Sequence, residues 1–208
     1  MTDTYCYLHL RGEGRSNEAL HAVLRNDIAP RWRQAGITVW GVWEGIFGVA
    51  SNELIVVAMA GGERVEPEFT DVLADSLSQG EVGLREKLLL APTVRPSGMA
   101  PCDKAGLYVF RFFEVSNADT AEIAELSRQA WETFENSDAY QTEPQGLFRT
   151  ADRATERGRM LLVTWYDGLD SWQLSRKPAP EATANFLRRR ELTEGTVALA
   201  TRLSRPPE

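Results

Sequence analysis

The eleven residues Met160–Asp170, MLLVTWYDGLD, constrain this chain more than any other stretch. Apolar residues run without a break into Thr164, Trp165 and Tyr166, and the turn dipeptide Asp167-Gly168 then stops them. A short apolar run with that ending reads as a central strand that must be covered on both faces. Leu54–Gly61, LIVVAMAG, has the same form. Two such strands at similar places in two halves suggest one unit written twice.

In chain order, Tyr5–Leu10 alternates, with Cys6, Leu8 and Leu10 on one face and Tyr5, Tyr7 and His9 on the other. Leu20, Val23, Leu24 and Ile28 then form a helical stripe over residues 17–33, which Pro30 should kink or end near Ala29. Residues 37–48 form a strand whose glycines, Gly41 and Gly45, predict a bulge or a close backbone approach. Residues 54–60 form the next. A second helix opens at Glu66-Pro67, with Phe69, Val72, Leu73 and Leu77 on one stripe and Gly80 as its stop, and residues 86–94 form a fourth strand. After a proline-rich linker the order recurs. Residues 107–115 form a strand, Asp119 and Glu122 predict a capping box, and strands follow at 146–150 and 159–166. Helical segments at 170–176 and 181–193 lead to a last strand at 196–203.

The expected fold is therefore α+β. Two tandem ferredoxin-like β-α-β-β-α-β halves, residues 1–96 and 105–208 joined by a linker at 97–104, pack sheet to sheet as an intramolecular dimeric α/β barrel. The chain's 208 residues suffice for two such halves, and an apolar fraction of 43% is ordinary for a globular protein.

Composition narrows function by exclusion. A formal net charge of −7 argues against nucleic acid and anionic membranes as partners, and no run of 18 apolar residues offers a membrane span. With no basic leader or cleavage pattern at the start, the expected location is the cytoplasm. Cys6 and Cys102 form neither a disulfide framework nor a metal-ligand spacing. The basic run Arg188-Arg189-Arg190 reads as a solvated helix face balanced by Glu191 and Glu194.

The second half resembles the NIPSNAP-like families of the dimeric α/β-barrel superfamily. Tyr108-Val109-Phe110-Arg111-Phe112-Phe113 is similar to that family's opening strand, and Leu162-Val163-Thr164-Trp165-Tyr166-Asp167 to its tryptophan-containing third strand. Trp172, Arg176 and Phe186 fall where the family carries an aromatic and basic helix pair. In the first half Leu8 stands in place of the arginine and Met59 in place of Trp165. The resemblance implies a barrel with an apolar cavity. The superfamily includes cofactor-independent oxygenases, isomerases and haem-handling proteins, so fold alone does not choose an activity.

The residues that could carry chemistry are few. His9, beside Tyr7 on one strand face, is the candidate general base. Arg111 sits in an apolar strand, where a guanidinium requires an anion or a carbonyl. Glu44 and Arg149, after Trp43 and Phe148, are expected to pair with each other, or else Arg111 and Arg149 meet an anionic group on a substrate. Trp43 and Trp165 are candidate pocket walls, and any pocket is expected nearer Trp165 than Met59. The favoured function is binding or transforming a small hydrophobic or aromatic ligand in the barrel without a bound cofactor or metal. The alternatives are a scaffold with a packed core, and haem binding through His9 or another ligand facing the cavity. A homo-oligomer could form through exposed strand edges.

Overall fold

The structure is a computed structural model that describes residues 3–61, 71, 74–75, 77–78 and 82–204. It is α+β, and the chain divides into two compact units. The first takes the residues up to Ala91, then Gly98–Asp103 and the residues from Thr201 on. The second takes Pro92–Ser97 and Lys104–Ala200. No described helix is long and apolar enough to cross a membrane.

In the first unit β1 (Thr4–Arg11), β2 (Ile37–Phe47), β3 (Glu53–Ala60) and β4 (Gly83–Pro92) line up as β4-β1-β3-β2. The central strand β1 runs antiparallel to both neighbours, with Leu8 opposite Val56 on β3 and Lys87 on β4. The alternation of β1 has the expected outcome. Cys6, Leu8 and Leu10 meet Leu20, Leu24, Ile28 and Trp32 from the helices and Val56 and Ala58 from β3 in one apolar core. Tyr5, Tyr7, Ile55, Val57 and Met59 occupy the other face and are fully buried as well. Each large side chain in such a core contributes roughly 1.5–3 kcal/mol.

The first helical stretch does not stop at Pro30. It comprises α1 (Glu18–Val23), a π-helical turn (Leu24–Ile28) and α2 (Ala29–Gln34). The Ala29 N–H reaches back to the Leu24 carbonyl, so the turn is one residue wider than an α turn. Pro30 then falls in the first turn of α2, where no N–H is required of it. Of the helix expected from Glu66-Pro67, the positions Phe69, Val72, Leu73 and Gly80 lie outside the described residues. Asp71, Ala74, Asp75, Leu77 and Ser78 are helical, and Leu77 joins the core.

The second unit holds β5 (Leu107–Ser116), α3 (Thr120–Phe134), β6 (Thr142–Thr150), β7 (Arg157–Tyr166), α4 (Leu169–Leu174), α5 (Pro180–Glu191) and β8 (Thr193–Ser204) up to Ala200, the rest of β8 counting with the first unit. Its strands line up as β8-β5-β7-β6, so both units place their own strands in the ferredoxin-like order 4-1-3-2. The MLLVTWYDGLD stretch supplies β7, the central partner of both β5 and β6. Strand β6 begins at Thr142, earlier than its apolar pattern predicts, and its register slips between Pro144 and Gly146, next to the residue that has no N–H to donate. The expected capping box at α3 does not form. Asp119 makes no side-chain cap, and the Thr120 hydroxyl instead donates to the Asn117 carbonyl at 3.0 Å.

Two glycines have the same use in both units. A register shift precedes Gly41 in β2 and Gly146 in β6. The aromatic ring two residues on, Trp43 or Phe148, folds back over the bare Cα, where a Cβ would collide with it. The bulge expected from Gly41 is present, and its purpose is ring packing.

Candidate ligand-binding site

The site lies on the helix side of the second sheet. Directly opposed residues on antiparallel strands share a face, and β5 pairs Val109 with Thr164, Arg111 with Leu162 and Phe113 with Met160. These side chains turn toward α3 and α5, whose Ile123, Ala130, Trp131 and Ala182 complete an apolar core. That core does not close. A cavity of about 940 Å³ remains, walled by β5, β7, the turn after α4, and α5.

Its lining is apolar and cationic together. Phe113, Trp131, Phe134, Leu162 and Phe186 supply rings and methyl groups. Arg111, Arg176, Lys177, Arg189 and Arg190 supply five cationic side chains, against the single carboxylate of Glu194. Arg189 lies over the faces of Phe186 and Phe113, at 4.8 and 5.1 Å from their centroids, and donates to the Ser127 hydroxyl at 3.1 Å. Burial, followed by the neighbouring charge of Arg111, brings its pKa down to about 10. Arg111 is also shifted down, first by burial and then by Arg176. Among the described residues no carboxylate pairs with Arg111, Arg176 or Arg189. Tyr166 cannot stand in as a counterion. Burial raises its hydroxyl above the usual tyrosine value, outweighing hydrogen bonding from Ser175 and Thr142 and the charge of Arg111, so it is neutral near pH 7.

The structure scatters the residues that the sequence singled out. Tyr7, His9 and Trp43 belong to the first unit, Tyr7 and Trp43 on the sheet face away from its helices. The His9 Nε2 lies 2.9 Å from Glu53 Oε2; Glu53 also accepts the Ala50 N–H at 3.1 Å and meets Arg85 Nε at 2.5 Å. Trp43 packs on Trp40 with ring centroids 5.7 Å apart. The expected pairing of Glu44 with Arg149 does not occur. Glu44 is already held by His21 at 3.0 Å and by Arg202 at 2.8 Å, and Arg149 donates to the Thr150 carbonyl at 3.2 Å. Trp165 points away from the cavity, donates to the Ala105 carbonyl at 3.0 Å and carries Lys104 over its ring. Its neighbours Thr164 and Tyr166 face the cavity in its place. Of the candidate site residues Arg111 alone lines it, joined there by Arg176 and Phe186 of the helix pair that the resemblance marked.

Arg189 was hidden in a run read as solvated. Arg188 behaves as that reading requires, binding Glu122 and Glu191. Arg189, however, follows Ala182 and Phe186 at the i, i+4, i+7 spacing of the buried stripe, and that period was the available signal. The cavity wall includes no histidine, cysteine or methionine, and both histidines of the chain hold carboxylates. Of the side chains that commonly hold haem iron, the wall offers only Tyr166. Among the described residues no cluster of His, Cys, Asp and Glu suits a metal ion.

No family model matches the chain, and no curated protein matches it. Solved structures do. A candidate monooxygenase from Fusobacterium nucleatum superposes with a TM-score of 0.61 at 12% identity, covering 97% of this chain and 93% of that one. An anthrone oxidase-like protein gives 0.58 at 14%, with 97% and 91% covered. A variant of the chlorite dismutase of Candidatus Nitrospira defluvii gives 0.63 at 8%, also with 97% and 91% covered. At these identities the likeness shows the fold alone, and that fold is the dimeric α/β barrel.

Proposed function

We propose that this protein binds a small amphipathic anion, with an aromatic or apolar body and an acidic group, in the cavity of the second unit. One observation carries the reading: Arg111 and Arg189 are drawn into a largely apolar wall, and among the described residues no carboxylate pairs with either of them. An uncompensated buried cation costs several kcal/mol, and cations beside each other add to that cost. A chain keeps such an arrangement where an anion completes it. A pocket with apolar walls and a few convergent polar groups is also the usual form of a small-molecule site. The names of the similar structures, a monooxygenase, an anthrone oxidase-like protein and a chlorite dismutase, are compatible with chemistry on small molecules.

The finer assignments belong to the same proposal: a NIPSNAP-like chain, duplicated in tandem, that is cytoplasmic, able to self-associate and active without a cofactor. His9, with Glu53 on its ring, is kept as the proposed general base, with Tyr7 and Trp43 beside it. A non-catalytic scaffold is the second reading, favoured by the exposed apolar side chains of Leu174, Leu187 and Val197 in the second unit.

Titration calorimetry with a panel of aromatic carboxylates tests the proposal. Saturable binding is expected in the native chain, weakened at least tenfold in Arg111→Met, which keeps an unbranched apolar stem and removes the charged guanidinium. A native chain indifferent to every acid in the panel, and to phosphorylated ligands, sinks the reading and leaves the scaffold.

A further inference from the structure

Resting on that reading, we infer that the acidic group is a dianion of the phosphate-monoester class, esterified to the aromatic or apolar body. The first argument is the balance of charge. A chain of net charge −7 gathers five cationic side chains around one cavity and, among the described residues, gives that wall one carboxylate. The carboxylate, Glu194, is half exposed and lies 3.5 Å from Arg157, which is not part of the wall. A monocarboxylate would neutralise one guanidinium and leave the others repelling each other.

The second argument is direction. The three arginines arrive from three elements: Arg111 from β5, Arg176 from the turn after α4, and Arg189 from α5. A planar carboxylate is matched by a single guanidinium fork, whereas the oxygens of a phosphate diverge and take donors from several sides. The hydroxyls of Thr164 and Thr183 lie on the same wall, and Pro178 and Thr183 bring the N-terminal turn of α5 to it. That turn presents the positive end of the helix dipole. The rings of Phe113, Phe134 and Phe186 give the ester substituent its surface.

Calorimetry on the full chain with phenyl phosphate, benzoate and inorganic phosphate tests this. Phenyl phosphate is expected to bind at least tenfold more tightly than benzoate and more tightly than inorganic phosphate. Its affinity should fall roughly tenfold between pH 7 and pH 5 as the ligand takes up its second proton near pH 6. No histidine lines the cavity, Arg189 is brought down only to about 10, and burial raises Tyr166 above the usual tyrosine value, so the change in this window is the ligand's own. Arg176→Gln, at an exposed position, should narrow the phosphate-to-benzoate ratio without changing the melting temperature. Benzoate binding as tightly as phenyl phosphate, or a phosphate affinity flat from pH 5 to 8, overturns the dianion and leaves the proposed function standing. Inorganic phosphate binding as tightly as the ester overturns the esterified body. Failure of all three ligands overturns both readings together.

Discussion

Leu8 and Arg111 stand at the same place in two sheets of the same strand order. Each lies on the first strand of its unit, opposite an apolar residue of the third: Val56 for Leu8 and Leu162 for Arg111. Around Leu8 the space between sheet and helices is filled by Leu20, Leu24, Ile28 and Trp32, all 2% exposed or less. Around Arg111 the corresponding space is a cavity of about 940 Å³. The handling of charge differs in the same way. In the first unit Glu53 meets His9 and Arg85, and Glu44 meets His21 and Arg202. In the second, the arginines of the cavity face one another and Glu194. One topology thus closes its helix–sheet space with methyl groups or keeps it open with unmatched cations, and the second choice makes sense only if something enters.

The largest expected effect comes from imposing the second choice on the first unit. Leu8→Arg places a cation among the apolar side chains of Leu20, Leu24, Ile28 and Trp32, with no anion among the described residues of that core to meet it. The cost is expected to be about 4 kcal/mol or more, a large part of the roughly 5–15 kcal/mol that holds a domain folded. Urea denaturation followed by far-ultraviolet circular dichroism measures it. A variant as stable as the parent would mean that the space behind Leu8 can open, and the contrast between the units would fail.

The contrast was partly legible beforehand. The alternation along β1, the apolar run of β7 and the glycine of β2 each report a local property, and the structure agrees with them at those points. Arg111 was conspicuous because a charge in an apolar strand violates the pattern around it. Which way it points was not legible from its own strand, since both faces of β5 are apolar. Equivalence with Leu8 points it to the helix side, which conflicts with a ligand held in the barrel, and the structure has Arg111 on the helix side, where Cys6, Leu8 and Leu10 also turn in the first unit. The partners of Glu44 and His9 could not be read at all. They lie up to 158 residues away along the chain, and only the register brings Arg202 to Glu44. Pro30 marks the place where the winding changes: the π-helical turn ends at Ile28 and α2 opens at Ala29, so the helix continues with Pro30 in a first turn.

The reverse exchange is expected to have an intermediate effect with the opposite sign. Arg111→Leu removes a cation that Arg176 and Arg189 repel and supplies the side chain that the first unit uses. The unliganded protein should gain about 1 kcal/mol, as when other buried charges are replaced by apolar residues of similar size. The variant should also lose binding of anionic ligands. A rise in melting temperature together with loss of binding marks a site kept at the expense of stability. A loss of more than about 2 kcal/mol would instead make the guanidinium a structural element, as the scaffold reading requires.

The smallest effect concerns the matched charges. Burial alone would raise the Glu53 carboxyl, but the Ala50 N–H, His9 and Arg85 outweigh it and hold the pKa below the usual 4.5. A carboxyl whose folded pKa lies below its unfolded value stabilises the fold above about pH 4.5, and that contribution is lost as pH falls through the folded value. Glu53→Gln keeps the shape and an acceptor for Ala50 but has no charge to offer His9 or Arg85. It should cost roughly 1 kcal/mol at pH 7, and the gap to the parent should close as the pH is taken down toward 3. Arg176→Gln in the second unit should show no such closing gap, because that guanidinium has no carboxylate partner among the described residues. Chemical denaturation of both variants from pH 7 to 3 separates the two cases. A gap for Glu53→Gln that is constant with pH would mean that the carboxylate is held by its shape and not by its charge. The distinction between the matched charges of Glu53 and the unmatched arginines of the cavity would then rest on the cavity alone.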